Sequence, residues 1–150
     1  MHVLYAEDDE NDAFFMQRAF AKLHQADALR IVPNGRQAVA YLNAEEPYAD
    51  RNKYPLPDIL LLDVKMPELS GLEVLAWARA QPRFSRQIIV MFTSSTQESD
   101  VERSRALGAN AYLVKPSNAD NLAVVVESIV DACDPARAPA RRLPVLGNEL

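Results

Sequence analysis

The chain has 150 residues, enough for one domain with its own apolar core, and its 49% hydrophobic and 25% charged residues are ordinary for a globular protein. A net charge of −5 argues against nucleic acid as the main partner, because the phosphate backbone draws a basic surface. With one cysteine, Cys133, there is no internal disulfide, and apolar runs such as Ile88 to Phe92 are too short to span a bilayer, so a cytoplasmic protein bound to neither nucleic acid nor membrane is expected.

Strands are expected near 2–6, 28–33, 58–63, 87–93 and 110–114, and helices near 11–24, 35–45, 70–80, 97–107 and 118–133. The first strand pattern begins at His2 with no basic, apolar leader ahead of it. In the first helix Phe15, Met16, Ala19, Phe20 and Leu23 form one apolar stripe, and Phe14 falls off it. Residues 46–57 form a proline-containing polar loop, longer than usual helix-to-strand connections and a plausible contact surface. The run Ile59-Leu60-Leu61-Leu62 ends at Asp63, and Gly71 relieves crowding where the following loop enters the third helix. Gly108 reads as a helix C-terminal glycine before the fifth strand. The last helix gathers Leu122, Val125, Val126, Ile129 and Cys133 on one face, with Val124 on the other, which makes Cys133 a small core residue rather than a reactive thiol. Beyond it Pro135, Pro139 and Pro144 preclude a continuous helix. Strands alternating with helices indicate a parallel sheet covered on both faces, an α/β doubly wound fold.

Three strand ends deliver charge: Glu7-Asp8 after the first, Asp63 after the third and Lys115-Pro116 after the fifth. A carboxylate ending a buried strand is costly unless it has chemistry to do. In a parallel sheet these ends share the edge where open α/β folds gather ligands, so acids and a lysine there suggest a divalent cation and a phosphoryl group. Local explanations compete. Glu7 to Asp12 precedes a helix whose dipole favours anions, a reading that suits Glu10 and Asp12 and extends to Asp9. Thr93, Ser94, Ser95 and Thr96 are all capping candidates, and a strand-end lysine is ordinarily solvated.

Glu7-Asp8, Asp63 with Met66-Pro67 and Gly71, Thr93-Ser94 and Lys115-Pro116, in that order, resemble the receiver domain of bacterial two-component response regulators. Thr93 stands twenty-two residues before Lys115, as the receiver pattern requires, whereas Ser94 would stand one residue short. The resemblance covers residues 1–133, leaves 134–150 as an extension, and implies a flavodoxin-like five-stranded sheet of order 2-1-3-4-5. It further implies that Asp63 is the phosphoacceptor. Magnesium or manganese would be held by Asp8, Asp63 and the backbone carbonyl of Lys65, with Glu7 acting through water. Thr93, the Ser94 amide and Lys115 would bind the phosphoryl group, Thr93 and Tyr112 would form a switch in which Tyr112 turns inward on phosphorylation, and the Lys115-Pro116 bond would be cis.

Such a protein is a signalling phosphoacceptor that assists its own phosphorylation and dephosphorylation. Its partners would be a sensor histidine kinase or a histidine phosphotransfer protein, and Phe14 with Phe15 would dock the kinase; a singly exposed aromatic is the competing reading of Phe14. Lys65 and Ser95 flank the approach of hydrolytic water and supply neither the amide nor the acid of fast-hydrolysing relatives, so slow phosphoryl loss is expected. The 46–57 loop, the Phe92-Thr93-Ser94-Ser95 strand end and the tail resemble regulators that partner bacterial phytochrome kinases. A homodimer is expected through the fourth helix, fifth strand and fifth helix, with Leu143, Val145 and Leu146 of the tail reaching the partner, against a disordered tail. Two alternatives stand beside this. An aspartyl phosphatase or phosphotransferase of haloacid dehalogenase type wants a second acid where Lys65 stands, and a receiver-like interaction module that is never phosphorylated needs no Asp63.

Overall fold

The computed structural model describes residues 1–133. The strands β1 (Val3–Ala6), β2 (Leu29–Val32), β3 (Ile59–Leu62), β4 (Ile88–Thr93) and β5 (Ala111–Val114) alternate with the helices α1 (Glu10–Lys22), α2 (Gly35–Leu42), α3 (Gly71–Ala80), α4 (Glu98–Leu107) and α5 (Ala119–Ala132). Every strand pairing is parallel, and the order is β2-β1-β3-β4-β5. This is the expected doubly wound, flavodoxin-like sheet. Residues 134–150, with the expected tail contact, lie outside the described residues.

The strands are short apolar runs because both sheet faces are covered. Alternation along each strand then sorts side chains into two cores. Leu4, Leu60, Leu62, Met91 and Tyr112 pack with Tyr41, Leu42, Leu72 and Leu75 on one side. Tyr5, Leu61, Val90 and Phe92 pack with Met16, Phe20, Val126 and Ile129 on the other. Each such apolar side chain contributes roughly 1.5–3 kcal/mol relative to exposure.

The helix starts are capped where sequence chemistry provides for it. The Asp9 side chain accepts from the amides of Asn11 and Asp12, and Ser70 with Glu73 forms a reciprocal capping box. Gly108 ends α4 at φ 95°, the left-handed conformation glycine adopts without a Cβ penalty. The 46–57 segment is more ordered than a polar loop implies. Arg51 donates to the carbonyls of Tyr41, Leu42 and Tyr54 at 2.8–3.0 Å, so it closes the C-terminus of α2, and Tyr48 and Tyr54 stack around the buried Tyr41. A cis peptide precedes Pro47.

One placement departs from the stripe expected in α1. Met16, Ala19 and Phe20 are buried and Leu23 is partly buried, but Phe15 is 48% exposed. It stands one residue before the buried Met16 and lines a groove with Pro116 and Leu122 at the start of α5. Its ring meets that of the exposed Phe14 at a centroid distance of 5.8 Å. Val124 is exposed and Cys133 partly buried, as its helix face predicts, and burial pushes the Cys133 thiol up to about 11.

The loop after β3 closes onto its own strand through Gly71. A Cβ there would stand 1.9 Å from the carbonyl oxygen of Asp63, while the Gly71 amide donates to Val64 O at 3.0 Å. Gly71→Ala therefore pushes α3 off the strand that carries Asp63. Urea denaturation is expected to register a loss of about 1–3 kcal/mol, the usual cost of overpacking; a midpoint equal to wild type would show that the turn relaxes freely.

Candidate functional site

The sheet register, rather than sequence proximity, assembles the site. Ala6 pairs with Leu62 across β1 and β3, so the residues that follow, Glu7 and Asp63, emerge side by side. The order reverses between these two strands, the position where open α/β sheets leave a crevice. Thr93 pairs with Val114 at the ends of β4 and β5, and the Lys115 amide donates to Thr93 O at 2.7 Å, which starts the lysine side chain back across the strand ends.

That side chain ends among three carboxylates. The Lys115 Nζ lies 2.5 Å from Glu7 Oε2, 2.7 Å from Asp63 Oδ2 and 2.9 Å from Asp12 Oδ2. An ammonium has three donors, and each has a carboxylate. Glu7 is held further by the Tyr5 hydroxyl at 2.8 Å and by the Asp9 amide at 3.0 Å. Burial raises its carboxyl to about 7, against the pull of Lys115. Burial works the other way on Lys115, but its bonds to Asp12, Asp63 and Glu7 outweigh that penalty and hold the ammonium protonated. Burial also keeps the Tyr5 phenol neutral, with the Glu7 charge beside it adding to the effect.

A hard cation suits the remaining acid. Glu7, Asp8 and Asp63 each offer a carboxylate oxygen, all within 4.8 Å of one another, with Asp8 exposed and the other two buried. An all-oxygen set open to water on one side fits an ion that retains part of its hydration, as magnesium and manganese do. Asp63 Oδ1 faces the Lys65 amide at 3.4 Å, and Lys65, Thr93, Ser94 and Lys115 line the same cleft. A carboxylate, a cation site, an ammonium and a hydroxyl thus converge where a phosphoryl group would be received.

Thr93 is buried, and its Oγ1 accepts from the Ser95 amide at 3.2 Å, which leaves the hydroxyl proton available to another acceptor. The Tyr112 side chain points inward: it is 2% exposed and its hydroxyl donates to Ser95 O at 2.9 Å. The ring belongs to the core above β4 and β5, and that packing, with the Ser95 carbonyl as partner, suffices to hold it.

Two corrections concern the site. The expected cis bond at Lys115-Pro116 is trans. Trans is favoured by about 0.5–1 kcal/mol for an X-Pro bond, and Lys115 reaches its carboxylates from it. Asp12, read from the sequence as helix-terminal charge, is a direct partner of Lys115. Its signal was available: it lies in the first turn of the helix that Asp8 leads into, facing the same strand ends. Asp9 and Glu10 keep the helix-terminal role, Asp9 as the cap.

Residues 3–127 match the family model described as the response regulator receiver domain. The methanogenesis regulatory protein FilR2 of Methanothrix harundinacea, named as a probable one, is 31% identical over 85% of this chain and 79% of its own length. The response regulator Rcp1 of Synechocystis is 32% identical over 85% of this chain and 84% of its own; its manganese-bound structure superposes with a TM-score of 0.74, covering 95% of this chain and 98% of that one. The phosphorylated cyanobacterial phytochrome response regulator RcpA superposes with a TM-score of 0.80 at 30% identity, covering 97% of this chain and all of that one.

Proposed function

The chain belongs to the response regulator receiver family, and from that membership we propose that Asp63 accepts a phosphoryl group from a sensor histidine kinase or a histidine phosphotransfer protein. The observation that carries this reading is the placement of the Asp63 carboxylate, at the end of β3 in an open cleft, between the Lys115 ammonium and the acids that suit a divalent cation. In the step itself a carboxylate oxygen of Asp63 forms a bond to phosphorus while the donor's N–P bond breaks and the imidazole leaves; with an acyl phosphate donor the O–P bond breaks and the carboxylate leaves. The product is an acyl phosphate on Asp63. Its charge is met by Lys115, which passes the donor now on Asp63 Oδ2 to a phosphoryl oxygen, and by the free proton of the Thr93 hydroxyl, with the Ser94 amide beside it. Magnesium or manganese would be held by Asp8, Asp63 and the carbonyl of Lys65, with Glu7 acting through water, and would supply charge neutralisation.

Phosphoryl loss is slow in this account. Lys65 offers no acid or amide to orient a water, and the Ser95 hydroxyl is bonded to Asp100 at 2.5 Å. The same Lys65 weighs against the haloacid dehalogenase reading. Phe14 and Phe15, exposed beside the groove at the start of α5, form the surface for the kinase. The relatives named for phytochromes support a bacteriophytochrome as that kinase. Residues 1–133 form the receiver unit and 134–150 its extension, and α4, β5 and α5, with Val124 exposed, supply the face for a homodimer. No described helix is long and apolar enough to cross a membrane.

Acetyl phosphate with magnesium is expected to add one phosphoryl mass to wild type and none to Asp63→Asn, read by intact mass spectrometry; equal labelling of both removes Asp63 from the role. Phe14→Ala is expected to accept phosphate from acetyl phosphate at the wild-type rate and from its kinase at least about tenfold more slowly, the loss of an aromatic contact at a docking surface. Unchanged kinase transfer returns Phe14 to a singly exposed aromatic. Sedimentation of the same phosphorylated samples is expected to show a dimer, and a monomer with and without phosphate rejects the pairing.

A further inference from the structure

Asp100 is a buried carboxylate, 8% exposed, that phosphoryl chemistry at Asp63 does not use and that no ion pair among the described residues satisfies. It stands in the first turn of α4, and its Oδ2 accepts from the Ser95 hydroxyl at 2.5 Å. A buried carboxyl group is retained at a cost unless it is hydrogen-bonded, so what it holds is of interest.

Ser95 has every polar group engaged. Its amide donates to Thr93 Oγ1 at 3.2 Å, its carbonyl accepts from the Tyr112 hydroxyl at 2.9 Å, and its hydroxyl oxygen also receives the Gln97 amide at 3.4 Å. The bond to Thr93 bears directly on phosphoryl binding. It occupies the acceptor side of the Thr93 hydroxyl and so directs the proton away from the β4–α4 turn, toward the cleft that Asp63 and Lys115 line. The helix that carries Asp100 adds no side-chain cap of its own, because Gln97 at its start makes no such bond. Without the Asp100 carboxylate, the side-chain bonds that hold Ser95 in the turn are reduced to the two longer amide contacts and the tyrosine hydroxyl.

We infer that Asp100 is a positioning residue for phosphoryl binding: through Ser95 it fixes the β4–α4 turn in the conformation that aims the Thr93 hydroxyl at the phosphoryl group, before that group arrives. The inference rests on Asp63 as the phosphoacceptor. It assigns the inward Tyr112 to the same latch, so that α4, β5 and the turn form one preset unit. Phosphoryl binding then gains from order already in place, since a turn ordered in advance need not be ordered on binding.

Beryllofluoride, an equilibrium mimic of the phosphoryl group, provides the test, titrated at saturating magnesium and read by fluorine NMR. Ser95→Ala, which changes no charge, and Asp100→Ala are each expected to weaken its binding about three- to tenfold, the span of one net hydrogen bond. Because the two side chains act through one bond, the double variant should bind no more weakly than the worse single variant. Ser95→Thr, which keeps the hydroxyl, should restore binding to within about twofold of wild type. A role confined to stability would lower the melting temperature and leave these affinities alone. Wild-type affinity in Ser95→Ala, or losses that add in the double variant, would overturn the inference while leaving Asp63 in its role. A wild type that takes up no beryllofluoride would overturn both.

Discussion

One ammonium holds the strand ends together. Lys115 reaches from the last strand to a glutamate that follows the first and an aspartate that follows the third, both nearly inaccessible to water, and takes a further aspartate from α1. Removing either partner of such a buried pair leaves an uncompensated charge, which costs several kcal/mol. The arrangement is also unfinished electrostatically. Glu7, Asp12 and Asp63 share the one Lys115 ammonium and Asp8 stands beside them, and this excess of carboxylates is what suits the cleft to a divalent cation.

The fold supplies the positions and leaves little slack. Parallel register places Glu7 beside Asp63, and the reversal of strand order between β1 and β3 opens the crevice into which both project. On one side the α3 turn presses its glycine against the Asp63 carbonyl; on the other the β4–α4 turn is tied to Thr93, Tyr112 and Asp100. Asp63 thus sits between two turns of different character. One is fixed by steric contact, the other by a chain of hydrogen bonds that a new set of phosphoryl oxygens would join.

The fold and most of the site were legible in the sequence. Continuous apolar runs such as Ile59 to Leu62 mark strands buried on both faces, and a charge that ends such a run marks the sheet edge. Hence Glu7, Asp63, Thr93 and Lys115 were found together, and each expected strand and helix has its counterpart within a few residues. What was missed depends on distance rather than pattern. Helical spacing groups Phe15 with Met16, but in three dimensions Phe15 faces a groove at the start of α5 and stays half exposed. Asp12 has a sufficient local explanation in the helix dipole, which masked the weaker signal of its place in the first turn after Asp8, 103 residues from its lysine partner. Arg51 likewise sits in a polar, proline-containing stretch, where its bonds to the end of α2 cannot be read from composition. The isomer at Pro116 was expected from the resemblance, and residue type does not decide it.

The central claim is that the charges gathered at this sheet edge make Asp63, and no neighbouring acid, the acceptor. Borohydride reduction of the phosphorylated protein followed by peptide mass mapping locates the acyl phosphate directly, because only the phosphorylated carboxyl is reduced to the alcohol. The account predicts reduction at Asp63 alone. Reduction at Asp8, Asp12 or Glu7 in place of Asp63 would contradict it.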